Sequence, residues 1–190
     1  KRVPSKKIIA MVKANAYGCG IDAIIPTIKG HVDAFGVACI EEALAIRRIG
    51  SNKACILFQG IFTKDELQDV IKYQFEMVIH TPHQLEWLLS EKLLVPVKVW
   101  VKVNTGMNRL GFQPEEVKDI IHKLQSCKWV DKAIGLMTHL GYADDPSHPN
   151  NKQQIARFNT LKSLSENLVY SISNSAAIIA FPETNADYVR

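Results

Sequence analysis

Short runs rich in Val, Ile, Leu and Ala, separated by stretches of helical period, are what most narrow the folds open to this 190-residue chain. Eight runs read as strands: residues 8–13, 34–38, 54–59, 77–80, 95–103, 133–139, 169–175 and 187–190. Several are nearly unbroken apolar sequence. An alternating strand has one wet face, whereas an unbroken one is covered on both, as in parallel sheets flanked by helices. Eight such strands with helices between them predict an α/β fold, either a parallel (β/α)8 barrel of the TIM type or a doubly wound sheet. The apolar share of 47% is enough for one ordinary core, and the length points to a single domain.

The intervening segments carry helix-end signals. Glu41 and Glu42 open one helix and Arg47 and Arg48 close it, with Gly50 following, an order that suits the macrodipole and a glycine after the C-cap. Thr63 with Glu66, and Thr81 with Gln84, have capping-box spacing, and Pro82 sits at a first helical position. Pro114 starts a helix with Val117, Ile120, Ile121 and Leu124 on one face, and another carries Ile155, Phe158, Leu161 and Leu164. The longest polar connection, residues 140–151, follows a strand end, where barrels keep lids and binding loops.

Charge and cysteine content exclude several functions. The net charge of +4 is mild, and part of it lies in the basic cluster at residues 1–7, which reads as a solvated end rather than a nucleic-acid surface. Cys19, Cys39, Cys55 and Cys127 show no CxxC or zinc-finger spacing, so neither a metal site nor a disulfide framework is expected. No apolar run approaches the ~20 residues of a membrane span, and the first residues lack a secretory apolar stretch. The expectation is a cytoplasmic protein without membrane or nucleic-acid partners.

Chemistry-bearing residues stand at the strand ends. Lys13 closes the first run, His139 the sixth, Asn174 and Ser175 the seventh and Arg190 the eighth, while Arg109 follows the fifth after a turn containing Gly106. A barrel gathers such positions on one rim, the rim that carries the chemistry of these folds.

The segment MVKANAYGCG at residues 11–20 resembles the pyridoxal-phosphate signature of the alanine racemases. Three further blocks match that family in order: VKVNTGMNRLG at 101–111, MTH at 137–139 and SNSAA at 173–177. The last residues, ADYVR, resemble the strand that precedes a Pro-Gly helix start there. The resemblance covers essentially the whole chain and implies the eight-stranded barrel of a fold-type III enzyme.

It also implies roles. Lys13 carries pyridoxal 5′-phosphate covalently, then serves as a base near the substrate Cα; partial desolvation at an apolar strand end favours its nucleophilic amine. Tyr17, in a glycine-containing loop, and Ser175 bind the phosphate, with Asn174 beside them, and the helix start beyond Arg190 would add backbone donors. Arg190 faces the pyridine nitrogen, where a side chain that keeps its proton leaves that nitrogen unprotonated and disfavours transamination. His139 sits near the ring and helps to hold Arg190. Arg109 donates to the cofactor's phenolic oxygen and the substrate carboxylate. Lys102 is a candidate for carbamylation, which would turn a cation that repels Arg109 into an anion able to orient it.

Two positions depart from the family pattern: Cys19 stands where histidine is usual, and Asn104 where aspartate is usual. The family also has a C-terminal β domain supplying a tyrosine, the second acid–base group, across a homodimer interface; residues 1–190 are expected to be the barrel domain alone and inactive without it. The implied activity is interconversion of L- and D-alanine for peptidoglycan. A racemase for another small amino acid such as serine, and a non-catalytic single-domain cofactor carrier, are the alternatives.

Overall fold

In the computed structural model, which describes residues 3–190, eight parallel strands pair in sequence order and β1 closes on β8. The strands are β1 (Lys7–Met11), β2 (Ala34–Val37), β3 (Ala54–Leu57), β4 (Glu76–Ile79), β5 (Val99–Lys102), β6 (Ile134–Met137), β7 (Leu168–Ser171) and β8 (Tyr188–Val189). Closure decides between the two architectures left open by the sequence in favour of the barrel. Outside it lie α2 (Ile21–Ile28), α3 (Ile40–Arg48), α4 (Leu67–Lys72), α5 (Pro82–Ser90), α6 (Val117–Ser126), α7 (Pro149–Asn159) and α8 (Ser175–Ala180). A short left-handed turn, α1 (Lys13–Tyr17), follows β1 directly. The basic cluster expected at residues 1–7 begins in residues 1 and 2, which lie outside the described residues.

Strand alternation builds two apolar layers. Phe35 and Val37 of β2 face outward into the layer that also holds helix residues such as Ile25, Ile46 and Phe158, all essentially inaccessible. Ile9, Ala34, Ile56, Val78, Trp100 and Met137 fill the barrel interior. This double covering is the physical origin of the unbroken apolar runs. Trp100 takes the largest share of the interior. Its Nε1 donates to Glu76 Oε2 at 2.8 Å, and Tyr188 meets its ring edge-on with centroids 5.2 Å apart. The β6 residue opposite it is Gly135, where a Cβ would lie inside the indole.

The ladders stop short of the expected carboxyl ends. Single backbone bonds carry several strands a little further, as from Val12 to the Gly36 carbonyl at 2.9 Å and from Arg190 to that of Ser173 at 3.1 Å. The run 95–103 is shortened at both ends, and Val97 and Val103 make only isolated bridges, to Val130 and Phe112. Residues at the rim have left the sheet and are turning into loops.

Helix ends follow the sequence signals in part. The order Glu41, Glu42, Arg47, Arg48, Gly50 is found, with Gly50 at φ 82°. Arg47 does more than offset the dipole, donating to the carbonyls of Ser51, Lys53 and Tyr73. The Thr63–Glu66 box does not form: Glu66 Oε2 accepts from Phe62 N–H at 2.8 Å, and Thr63 makes no side-chain cap. Thr81 caps α5 through Gln84 N–H at 3.3 Å, but the Gln84 side chain accepts from His80 and donates to the Gln59 and Ile61 carbonyls. The reciprocal box lies instead at Gln113 and Glu116, around Pro114. Leu164 lies beyond the end of α7, although it still packs against the core.

Candidate active site

The segment after β1 folds against the usual preference of L-residues. Ala14, Asn15, Ala16 and Tyr17 all have φ between 51 and 55°, and Gly18 closes the turn at φ 86°. Left-handed helix costs about 1–2 kcal/mol per residue, so four in succession need outside support. Asn15 Oδ1 accepts from Ile21 N–H at 2.8 Å, and Glu42 Oε1 accepts from Ala14 N–H at 2.7 Å. The glycine-containing loop expected around Tyr17 is thus a braced helical turn. It holds Lys13 half-buried at its start and Tyr17 exposed at its end, with Lys13 Nζ 5.9 Å from the Tyr17 ring centre.

Lys13 and Tyr17 open onto a cavity of about 850 Å³ at the carboxyl ends of the strands. Lys102, Arg109, His139, Asn174, Ser175 and Arg190 line it as well, so the barrel brings every sequence-predicted site residue together. Among the described residues that line it, none is Asp or Glu. Four cations therefore share a cavity without a balancing carboxylate. Lys102 feels this most: it is 7% exposed, and burial, then Arg190, Arg109 and Lys13, push its pKa down to about 8. His139 is pushed down to about 3 by burial first, then by the same four cations, which keeps its imidazole neutral. Arg190 is lowered by burial to about 10 and stays protonated at neutral pH. A site of this kind favours an anionic ligand with an apolar part, since Phe58 and Met11 supply apolar walls.

Two positions differ from expectation. Arg190 is not hydrogen-bonded to His139. Its Nη1 donates to Ser171 Oγ at 2.6 Å and to the Ser171 carbonyl at 3.2 Å, its Nη2 to the Thr138 carbonyl, and its guanidinium lies 5.9 Å from the Phe58 ring centre. A guanidinium has five donors, and three bonds to the Ser171 hydroxyl and to the Ser171 and Thr138 carbonyls hold it without the His139 ring. Asn174 lines the cavity, but its amide is already engaged: Oδ1 caps α8 through Ala177 N–H at 3.0 Å and Nδ2 donates to the Leu140 carbonyl at 3.2 Å. It fixes the helix start that carries the exposed Ser175.

The departures from the family motif also resolve. Asn104 Oδ1 accepts from Gly106 N–H at 3.2 Å and Asn108 N–H at 3.0 Å, as an aspartate could, while its Nδ2 donates to Asn108 Oδ1 at 3.1 Å. Asn104 thereby shapes the loop that presents Arg109. Cys19 is an exposed free thiol and does not line the cavity.

Sequence reasoning missed Ser171, Thr138, Gln154 and the reach of Glu42. Ser171 carried a signal, being a polar residue at an inward position of an apolar run. Gln154 carried none. From α7 its Nε2 donates to Thr105 Oγ1 and the His139 carbonyl, and its Oε1 accepts from Gly141 N–H, tying β5, β6 and the next loop together. That loop folds on itself, with Asn151 Nδ2 donating to the Tyr142 and Asp145 carbonyls, and no residue of 141–148 lines the cavity.

Among the described residues, the closed parallel barrel sets a lysine just past β1 at a cavity lined by cations and by no carboxylate, the class of barrel site suited to an anionic ligand. The family model described as "Alanine racemase, N-terminal domain" matches residues 1–190, and the chain belongs to that family. An alanine racemase of Legionella pneumophila (strain Corby) is 56% identical over 187 residues, 98% of this chain and 52% of the relative. One of Shewanella sediminis is 40% identical over 188 residues, again 98% and 52%. Among solved structures, alanine racemase from Acinetobacter baumannii superposes with a TM-score of 0.92 at 41% identity, over 100% of this chain and 52% of that one. The Bartonella henselae enzyme, described with covalently bound pyridoxal phosphate, gives 0.89 at 26% identity, over 100% and 56%. The chain spans about half the length of the curated relatives it matches.

Proposed function

We propose that this chain forms the pyridoxal-phosphate-binding barrel of an alanine racemase, which interconverts L- and D-alanine in the cytoplasm for peptidoglycan, as a homodimer. The observation that carries the reading is the cavity itself: a lysine at its mouth, three further cations, a neutral imidazole and no carboxylate. That donor set fits the cofactor. Lys13 would hold it covalently, Tyr17 and Ser175 would take its phosphate, Arg109 its phenolic oxygen, and Arg190 its ring nitrogen, with His139 beside the ring. When bound, the cofactor draws electron density from the substrate's Cα and acidifies that proton. Lys13 would then accept the proton on one face and return it. Because Arg190 keeps its own proton, it would offer the ring nitrogen a hydrogen bond without protonating it, which would favour racemisation over transamination. Return of a proton to the opposite face requires a second acid–base group, for which a tyrosine of the partner subunit is the proposed source.

Lys102 is proposed to be carbamylated. With a pKa near 8 and neighbours that all repel its charge, its amine can attack carbon dioxide, forming an N–C bond and releasing a proton to solvent. The resulting anion would neutralise part of the field and orient Arg109, with which Lys102 shares a small cleft.

The test is isomerisation by the full-length protein of a panel of small amino acids. Alanine should turn over fastest, and Lys13→Ala should lower the rate by on the order of 10²–10⁴-fold. Preference for serine would overturn the substrate assignment, and an unchanged rate in Lys13→Ala would overturn the mechanism.

A further inference from the structure

We propose that Glu42 is the positioning residue that sets the orientation of Lys13, by holding the left-handed turn between two backbone N–H groups; the inference deepens the proposed function and rests on it. A helical turn leaves its first N–H groups without intrahelical partners. Here the N–H of Ala14 is taken by Glu42 Oε1 at 2.7 Å, and the other carboxylate oxygen takes the N–H of Ala38, just past β2, at 2.8 Å. One side chain thus staples the end of β2 to the turn that follows β1. Both are charge-assisted bonds, stronger than their neutral counterparts.

The bond to Ala14 acts on Lys13 through the peptide plane. The Ala14 N–H belongs to the rigid Lys13–Ala14 peptide unit, so its direction fixes ψ of Lys13. That in turn fixes the direction of the Lys13 side chain relative to the turn ending in Tyr17. The clamp is itself held firmly: Glu42 lies in the first turn of α3 between Ile40 and Ala43, both buried in the core. Its neighbour Glu41 in the same turn is exposed and makes neither bond.

The experiment uses the full-length protein with Glu42→Gln, Glu42→Asp and, as control, Glu41→Gln. Glutamine keeps one acceptor and turns donors toward a backbone donor; aspartate is one methylene too short to span both N–H groups. Three quantities are read: amide exchange of the segment 12–18 in cofactor-free protein, the rate at which pyridoxal phosphate becomes reducible by borohydride onto Lys13, and the melting temperature. Glu42→Gln should speed exchange at Ala14 and slow covalent capture, each by about tenfold, the scale of one lost charge-assisted bond, while melting stays close to wild type. Glu42→Asp should do the same more mildly and carries the comparison if the glutamine variant does not fold. Unchanged exchange and capture in a folded Glu42 variant, or an equal loss in Glu41→Gln, would overturn the inference. Failure of the wild-type protein to label at Lys13 would instead count against the proposed function, and amide exchange would still decide the role of Glu42.

Discussion

At the scale of single residues, the barrel has concentrated positive charge where water is scarce, and Lys102 bears the cost. Its pKa falls from the ordinary 10.5 to about 8. A lysine depressed in the folded state destabilises the fold wherever it must be charged. The penalty is absent above about pH 10.5, grows as pH falls toward 8, and is complete below that. Its size follows from the shift, roughly 3 kcal/mol at neutral pH. Cofactor-free protein kept free of carbon dioxide should therefore gain stability between pH 8 and 10.5, and Lys102→Met should remove that gain while raising stability at pH 7. Bicarbonate should stabilise the wild type and leave Lys102→Met unchanged. Denaturant titrations across this range check both; a flat difference between the two proteins would refute the account of Lys102. Most residues of this site were legible in the sequence, because Lys13, His139, Ser175 and Arg190 each follow an apolar run at its carboxyl end. Partnerships were not. Arg190 turns to Ser171 and Thr138 rather than His139, and Glu42 looked like any acid in a first helical turn. Which side chains meet across 19 to 52 residues of separation depends on barrel curvature, which no local pattern carries.

At the scale of elements, strand number and order were readable from the apolar runs, whereas strand ends and several caps were not. A run such as 95–103 stays apolar beyond its ladder because Val97 and Val103 remain buried after the sheet has ended. Capping-box spacing recurs by chance: Thr63–Glu66 has it without the bonds, while Gln113–Glu116 makes both. The turn at Ala14–Tyr17 was illegible, since neither Ala nor Tyr favours positive φ and only tertiary bonds sustain it. Between β5 and β6, Gly135 leaves room for the Trp100 indole. Gly135→Ala should force the indole aside and cost about 1–3 kcal/mol, as overpacking of a tight core does. Thermal melting with near-ultraviolet circular dichroism would register it, and a variant as stable as wild type with an unchanged tryptophan signal would contradict this packing.

At the scale of the whole molecule, closing the sheet is what makes the site. Lys13 and Arg190 are 177 residues apart in sequence, yet β1 and β8 are neighbours, so both line one cavity together with Lys102 and Arg109. Among the described residues, the same closure pools four cations without a carboxylate, a field that favours an anionic ligand. Lys13 is the residue proposed to hold the cofactor there. The direct measurement is borohydride reduction of the full-length protein loaded with pyridoxal phosphate, followed by proteolysis and mass spectrometry of the peptides. A single reduced label is expected, on the peptide containing Lys13. A label on Lys102 or any other lysine in its place, or none at saturating cofactor, would contradict it.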